Sequence, residues 1–216
     1  MPARNVIKHY VPDYFYHIYN RGFNKSNIFL DNQDYSVFVN LLERALDPNL
    51  KILPSGFINT HNISQDIILI AYCLMPNHFH FLFKTISKEG VTKLLRRVLT
   101  SYVMYFNKKY EREGTIFQGK PRGIVIESES HLLHLTRYIH KNPLEIEAVK
   151  NLRDYPYSSY QEYIGIRKSA WVMPEEILSF FKSEECTSPT DILSYEHFVE
   201  NYSKDTVEIL DNLILE

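Results

Sequence analysis

The chain has 216 residues, 44% of them hydrophobic, and a formal net charge of −2, which is enough apolar material for one substantial core. Its apolar runs fall short of a membrane span, the N-terminal stretch lacks the apolar segment of a signal peptide, and Cys73 and Cys186 have neither metal nor redox spacing. A membrane-spanning or disulfide-built protein is thereby excluded, and a cytoplasmic setting is expected. The charge is uneven. Ten Lys/Arg face three Glu between residues 84 and 122, whereas eleven acidic residues face two lysines between 174 and 216. A basic middle offset by an acidic tail permits a polyanionic partner.

In chain order, "YFYHIYNRG" (14–22) predicts a strand that leaves through a turn at Gly22. The segment 31–46 places Tyr35, Phe38, Val39, Leu42 and Leu46 at helical spacing behind a candidate cap, Asp31 or Asn32. Residues 47–65 carry two prolines and a glycine and read as a loop or irregular β excursion. "DIILIAYCLM" predicts a buried strand, Pro76-Asn77 a turn, and "HFHFLFK" its hairpin partner. The segment 90–110 is the strongest helix, with Thr92 as candidate cap and lysines at its C-terminal end. Short β runs follow in 114–128. A second helix over 129–143 is expected to stop at Pro143, and "YPYSSYQEYIG" reads as a docking loop with a short helix. The order β-α-β-β-α-β-α predicts an α+β protein with a ferredoxin-like antiparallel sheet. Residues 1–165 form the expected main domain, and the acidic 166–216 a mostly helical extension.

The stretch "YCLMPNHFHFLFK" sets His78 and His80 two apart on a strand. Side chains alternate there, so both imidazoles share one face while Phe79, Phe81 and Phe83 share the other. Two histidines at this spacing offer a platform for a divalent ion, although H-x-H alone more often describes a pair of structural histidines. In "RYIHKNP", Tyr138 and Asn142 lie four apart on one helix face. A phenol is a candidate nucleophile and an amide oxygen a candidate ligand. Mixed N/O ligation suits magnesium or manganese better than a closed zinc site.

Taken in order, "YCLMPNHFHFLFK", "SYVMYFNKKYEREGTIFQGKPR", "RYIHKNP" and "YPYSSY" resemble the single-tyrosine HUH transposases, in particular the REP-associated, IS200-like branch, over residues 14–165. The resemblance implies a metal-dependent single-strand DNA endonuclease and strand transferase. It places His78 and His80 at the HUH positions on a central strand, Tyr138 as nucleophile and Asn142 as the third metal ligand, with magnesium or manganese as cofactor. The implied partner is single-stranded DNA with a hairpin, contacted by Asn20, Arg21, Lys93, Arg96, Arg97, Lys120 and Arg122. A monomer is favoured over a homodimer. Two other readings stay open: a metal-dependent nuclease that uses water, and a nucleic-acid-binding relative without catalysis.

Overall fold

In the computed structural model, which describes residues 9–146, 149–181 and 190–201, the first strand, β1 (Phe15–Arg21), is buried along its centre. Tyr16 and Ile18 face one side and His17 and Tyr19 the other, because both faces of the sheet are covered. The next element, α1 (Asn32–Leu46), starts where Asp31 accepts from the Asp34 amide at 3.0 Å, as the cap reading predicts. Its stripe of Tyr35, Phe38 and Leu42 enters the core. The loop after it is tied down. Asn59 Nδ2 donates to the carbonyls of Arg44 and Leu50 at 2.7 and 2.8 Å.

Strands β2 (Ile67–Met75) and β3 (His78–Thr85) form the expected hairpin around Pro76-Asn77. A bulge between Leu69 and Ala71 breaks the alternation of β2, so that Ile70 and Ala71 face the same side. Helix α2 spans Gly90–Lys109 and begins two residues before Thr92, the expected cap. Glu89 occupies the cap position without a side-chain bond. Only a glycine lets the chain pass so close: a Cβ on Gly90 would lie 2.4 Å from the Asp66 carbonyl oxygen.

Strand β4 (Arg122–Ile126) closes the sheet, and α3 spans Glu129–Glu145 with Ser128 as its cap. The helix runs two residues past Pro143, where the sequence reading ends it. A proline this near the C-terminus removes one donor without forbidding the last half-turn. Three short helices follow: α4 (Tyr160–Tyr163), α5 (Glu175–Leu178) and α6 (Thr190–Asn201).

The strand order is β2-β3-β1-β4, antiparallel at every pairing. This is the ferredoxin-like arrangement expected, with β3 between β2 and β1. One face packs Phe79, Phe81 and Phe83 with α1 and α2, and the other packs Ile70, Cys73, Met75 and Leu82 with α3. Segment 155–163 docks along the outer edge of β2, where the Leu74 amide donates to the Tyr157 carbonyl at 2.9 Å and the Ser159 amide to the Tyr72 carbonyl at 2.9 Å. Beyond residue 165 the chain keeps packing on this core. Trp171 stacks on Tyr72 at 5.3 Å, Val172 pairs with Leu69, and Tyr195 of α6 lies 2.7 Å from His140 Nδ1. Cys186 and the rest of the acidic tail, 182–189 and 202–216, lie outside the described residues.

Candidate metal and nucleophile site

The pleat of β3 turns His78 and His80 toward α3, and α3 brings Tyr138 and Asn142 to meet them. The Tyr138 ring packs edge-on against His80 with centroids 5.4 Å apart, and Asn142 Oδ1 lies 3.4 Å from His78 Nε2. His80 is fully buried, and Asn142 is 2% exposed. The four residues singled out in two distant segments therefore converge on one place.

Hydrogen bonding fixes which atoms face the gap. Asn142 Nδ2 donates to the Tyr138 carbonyl at 2.8 Å, so its oxygen is the atom presented to His78. Asn77 Nδ2 donates to the Lys25 carbonyl at 3.2 Å, which leaves Asn77 Oδ1 to accept from His78 Nδ1 at 2.7 Å. A neutral imidazole carries one ring proton, and here Nδ1 has it. Burial first, and the nearby Arg21 charge, hold the His78 pKa below its usual value and keep the ring neutral. His78 Nε2 and Asn142 Oδ1 are then two acceptors face to face with no proton between them.

His80 supplies a third acceptor. Its Nδ1 lies 2.9 Å from His17 Nε2. Burial, and then the neighbouring His78 and His17, push its pKa well below the ordinary histidine value. Its Nε2 is buried without a hydrogen-bond partner among the described residues. With the proton of the His17–His80 contact on His80 Nδ1, His80 Nε2 offers a lone pair. Three lone pairs on neighbouring side chains, one of them orphaned in the interior, fit a cation. Among the described residues no group of three or more His, Cys, Asp or Glu is placed to hold a metal, so the donors on offer are two imidazoles and an amide. These are neutral and leave a divalent ion its full charge.

The basic residues divide into two groups. Arg21 lies opposite His78 in the β1–β3 register and donates through Nε to Gln118 Oε1 at 2.7 Å. Asn20, Arg21 and Arg122 line one small cleft with Tyr19 and Gln118. Asn20 and Lys120 line a neighbouring groove beside α2. Lys93, Arg96 and Arg97 are elsewhere: α2 covers the phenylalanine face, and its first half lies by Asp66, at the far end of the sheet. Lys93 pairs with Asp66 at 3.4 Å, and Arg97 Nη1 donates to the His61 carbonyl at 2.8 Å. His17, Asn77 and Gln118 escape the sequence reading. For His17 a signal exists, since it shares the strand alternation of Tyr19 and Arg21.

Residues 41–142 match the family model described as "Transposase IS200 like", which spans somewhat less than half of the chain. The chain also resembles the REP-associated tyrosine transposases. It is 26% identical over 117 residues to a Haemophilus influenzae protein described as a REP-associated tyrosine transposase. That alignment covers 50% of this chain and 64% of the relative's length. A solved structure of a REP-associated tyrosine transposase bound to a REP hairpin superposes with a TM-score of 0.52 at 12% identity, covering 79% of this chain and 98% of that one. At that identity the likeness is one of fold. No helix among the described residues is long and apolar enough to cross a membrane.

Proposed function

We propose that this chain is a metal-dependent single-strand DNA endonuclease and strand transferase that forms a 5′-phosphotyrosine intermediate at hairpin-associated sites. The observation that carries the reading is His78 Nε2 3.4 Å from Asn142 Oδ1, next to a His80 ring that touches Tyr138 and whose Nε2 has no hydrogen-bond partner among the described residues. In this proposal those three atoms hold magnesium or manganese, which supplies positive charge that polarises the scissile phosphate and stabilises its transition state. Tyr138, as phenolate, attacks phosphorus; the bond to the 3′ oxygen breaks, and that oxygen leaves and takes up a proton. The covalent link keeps the phosphodiester bond energy, so a 3′-OH can reverse the step and join strands. In the same proposal backbone phosphates meet Arg21, opposite His78, and Arg122 in the cleft they share, and Asn20 and Lys120 in the adjoining groove beside α2.

Residues 1–165 are proposed as the catalytic unit and 166–216 as a packing extension of a cytoplasmic, monomeric protein. The test is incubation of the chain with labelled hairpin-containing single strands and manganese or magnesium, run on a denaturing gel beside Tyr138→Phe. A slower, protease-sensitive DNA band that vanishes in the variant is the expected result. Cleavage that survives in Tyr138→Phe would assign the attack to water. Binding without cleavage across strands that contain and lack the hairpin would mark a silent binder.

A further inference from the structure

On the face away from the histidines, the first half of α2, the end of α1 and the tied loop enclose a cavity of about 90 Å³. One water needs only about 10–15 Å³. Two guanidinium groups line it, Arg44 from α1 and Arg97 from α2, with His61, Ser101 and an apolar floor of Leu41, Ala45 and Val98. No carboxylate lines it among the described residues. Arg97 is oriented by its bond to the His61 carbonyl.

The wall is held in place by its own bonds. Asn59 ties the loop to the Arg44 and Leu50 carbonyls, its Oδ1 accepts from the His61 amide at 3.2 Å, and the Ile63 amide donates to the Ala45 carbonyl at 2.7 Å. Two like charges at one small cavity with no carboxylate among its described lining repel each other. An oxyanion relieves that repulsion, because guanidinium forks match tetrahedral oxygens and hydroxyl or imidazole donors can add to them.

We propose that the Arg44–Arg97 cavity is an anion site for a phosphate group, separate from the histidine site. The group can come from free phosphate or from a DNA backbone, and the two sources are experimentally distinct. The free-anion arm does not depend on the proposed catalysis, so failure of either idea leaves the other standing.

The test uses the full chain, Arg44→Gln and Arg97→Gln, without metal. Thermal unfolding is followed with inorganic phosphate against chloride at matched ionic strength, and phosphate affinity by calorimetry. The expected result is a phosphate-specific rise in Tm for the parent chain and an affinity at least tenfold weaker in each variant. In chloride, both variants should unfold at or above the parent's Tm, since one of two repelling charges is gone.

The second arm measures the affinity of a single-stranded oligonucleotide by fluorescence anisotropy over a salt series. If a backbone phosphate occupies the cavity, each variant lowers the slope of log K against log salt by about 0.7, the value for one lost contact on a single strand. An unchanged slope together with a lost phosphate response assigns the site to the free anion. If neither variant alters the phosphate response or the salt slope, the proposal is overturned.

Discussion

His17 illustrates what a single residue contributes that its own segment does not reveal. It is fully buried on β1, and its Nε2 meets His80 Nδ1. A partner that accepts the Nδ1 proton keeps the lone pair of a ligating histidine on Nε2, and loss of such a partner typically weakens metal binding 10–100-fold. His17→Phe should therefore lower manganese affinity by about that factor in calorimetry while the chain stays folded. His17→Gln, whose amide oxygen can still accept the proton, should recover much of it. Equal affinities in all three proteins would remove His17 from the site. His78, His80, Tyr138 and Asn142 were legible because periodicity places each pair on one face and because the family resemblance singles out Tyr138 among 16 tyrosines. His17 and Asn77 were not, because their roles depend on which strands pair and how the hairpin turn folds.

Among the elements, α1 and α2 are clamped by one buried carboxylate. Asp34 Oδ2 accepts from the Leu30 amide and Tyr110 Oη, each at 2.8 Å, and Oδ1 from Tyr105 Oη at 3.0 Å and Lys109 Nζ at 2.8 Å. Burial alone would raise its pKa, but these donors, Lys109 foremost, outweigh burial and hold it below the usual carboxylate value. A depressed carboxylate stabilises the fold fully above its unfolded pKa of about 3.9 and ceases to do so as pH falls through the folded value. Asp34→Asn should thus cost about 3 kcal/mol at pH 7 in urea unfolding, with the gap to the parent chain narrowing below pH 3.9. A gap independent of pH would disprove the ionic clamp. The sequence shows both helices and the cap at Asp31. It does not show that Asp34, polar and on the first turn, faces inward, because that depends on the packing of α1 against α2. The start of α2 at Gly90 was hidden for a similar reason: only the close passage of the Asp66 backbone explains it.

At the scale of the whole molecule, the βαββαβ order was readable from alternating periodicities, and with it the central place of β3. The path of the chain after residue 165 was not. Its composition reads as an acidic tail, yet Trp171, Val172, Ile177, Tyr195 and Val199 are buried, and spacing in a polar segment does not say which surface will receive them. A fully buried apolar side chain contributes about 1.5–3 kcal/mol, and each kcal/mol moves Tm by about 2–4 °C in a chain of this size. A truncation after residue 170 should therefore lower Tm by roughly 10 °C or more in a calorimetric scan; an unchanged Tm would mean that the extension is dispensable to the core. The segment docked on β2 has a separate consequence for self-association. A sheet edge normally offers its free amides and carbonyls to any passing strand. Here Tyr72 and Leu74 have spent theirs on Ser159 and Tyr157, and Leu69 has spent its carbonyl on the Met173 amide. Fusion of two copies into one continuous sheet is blocked on this side.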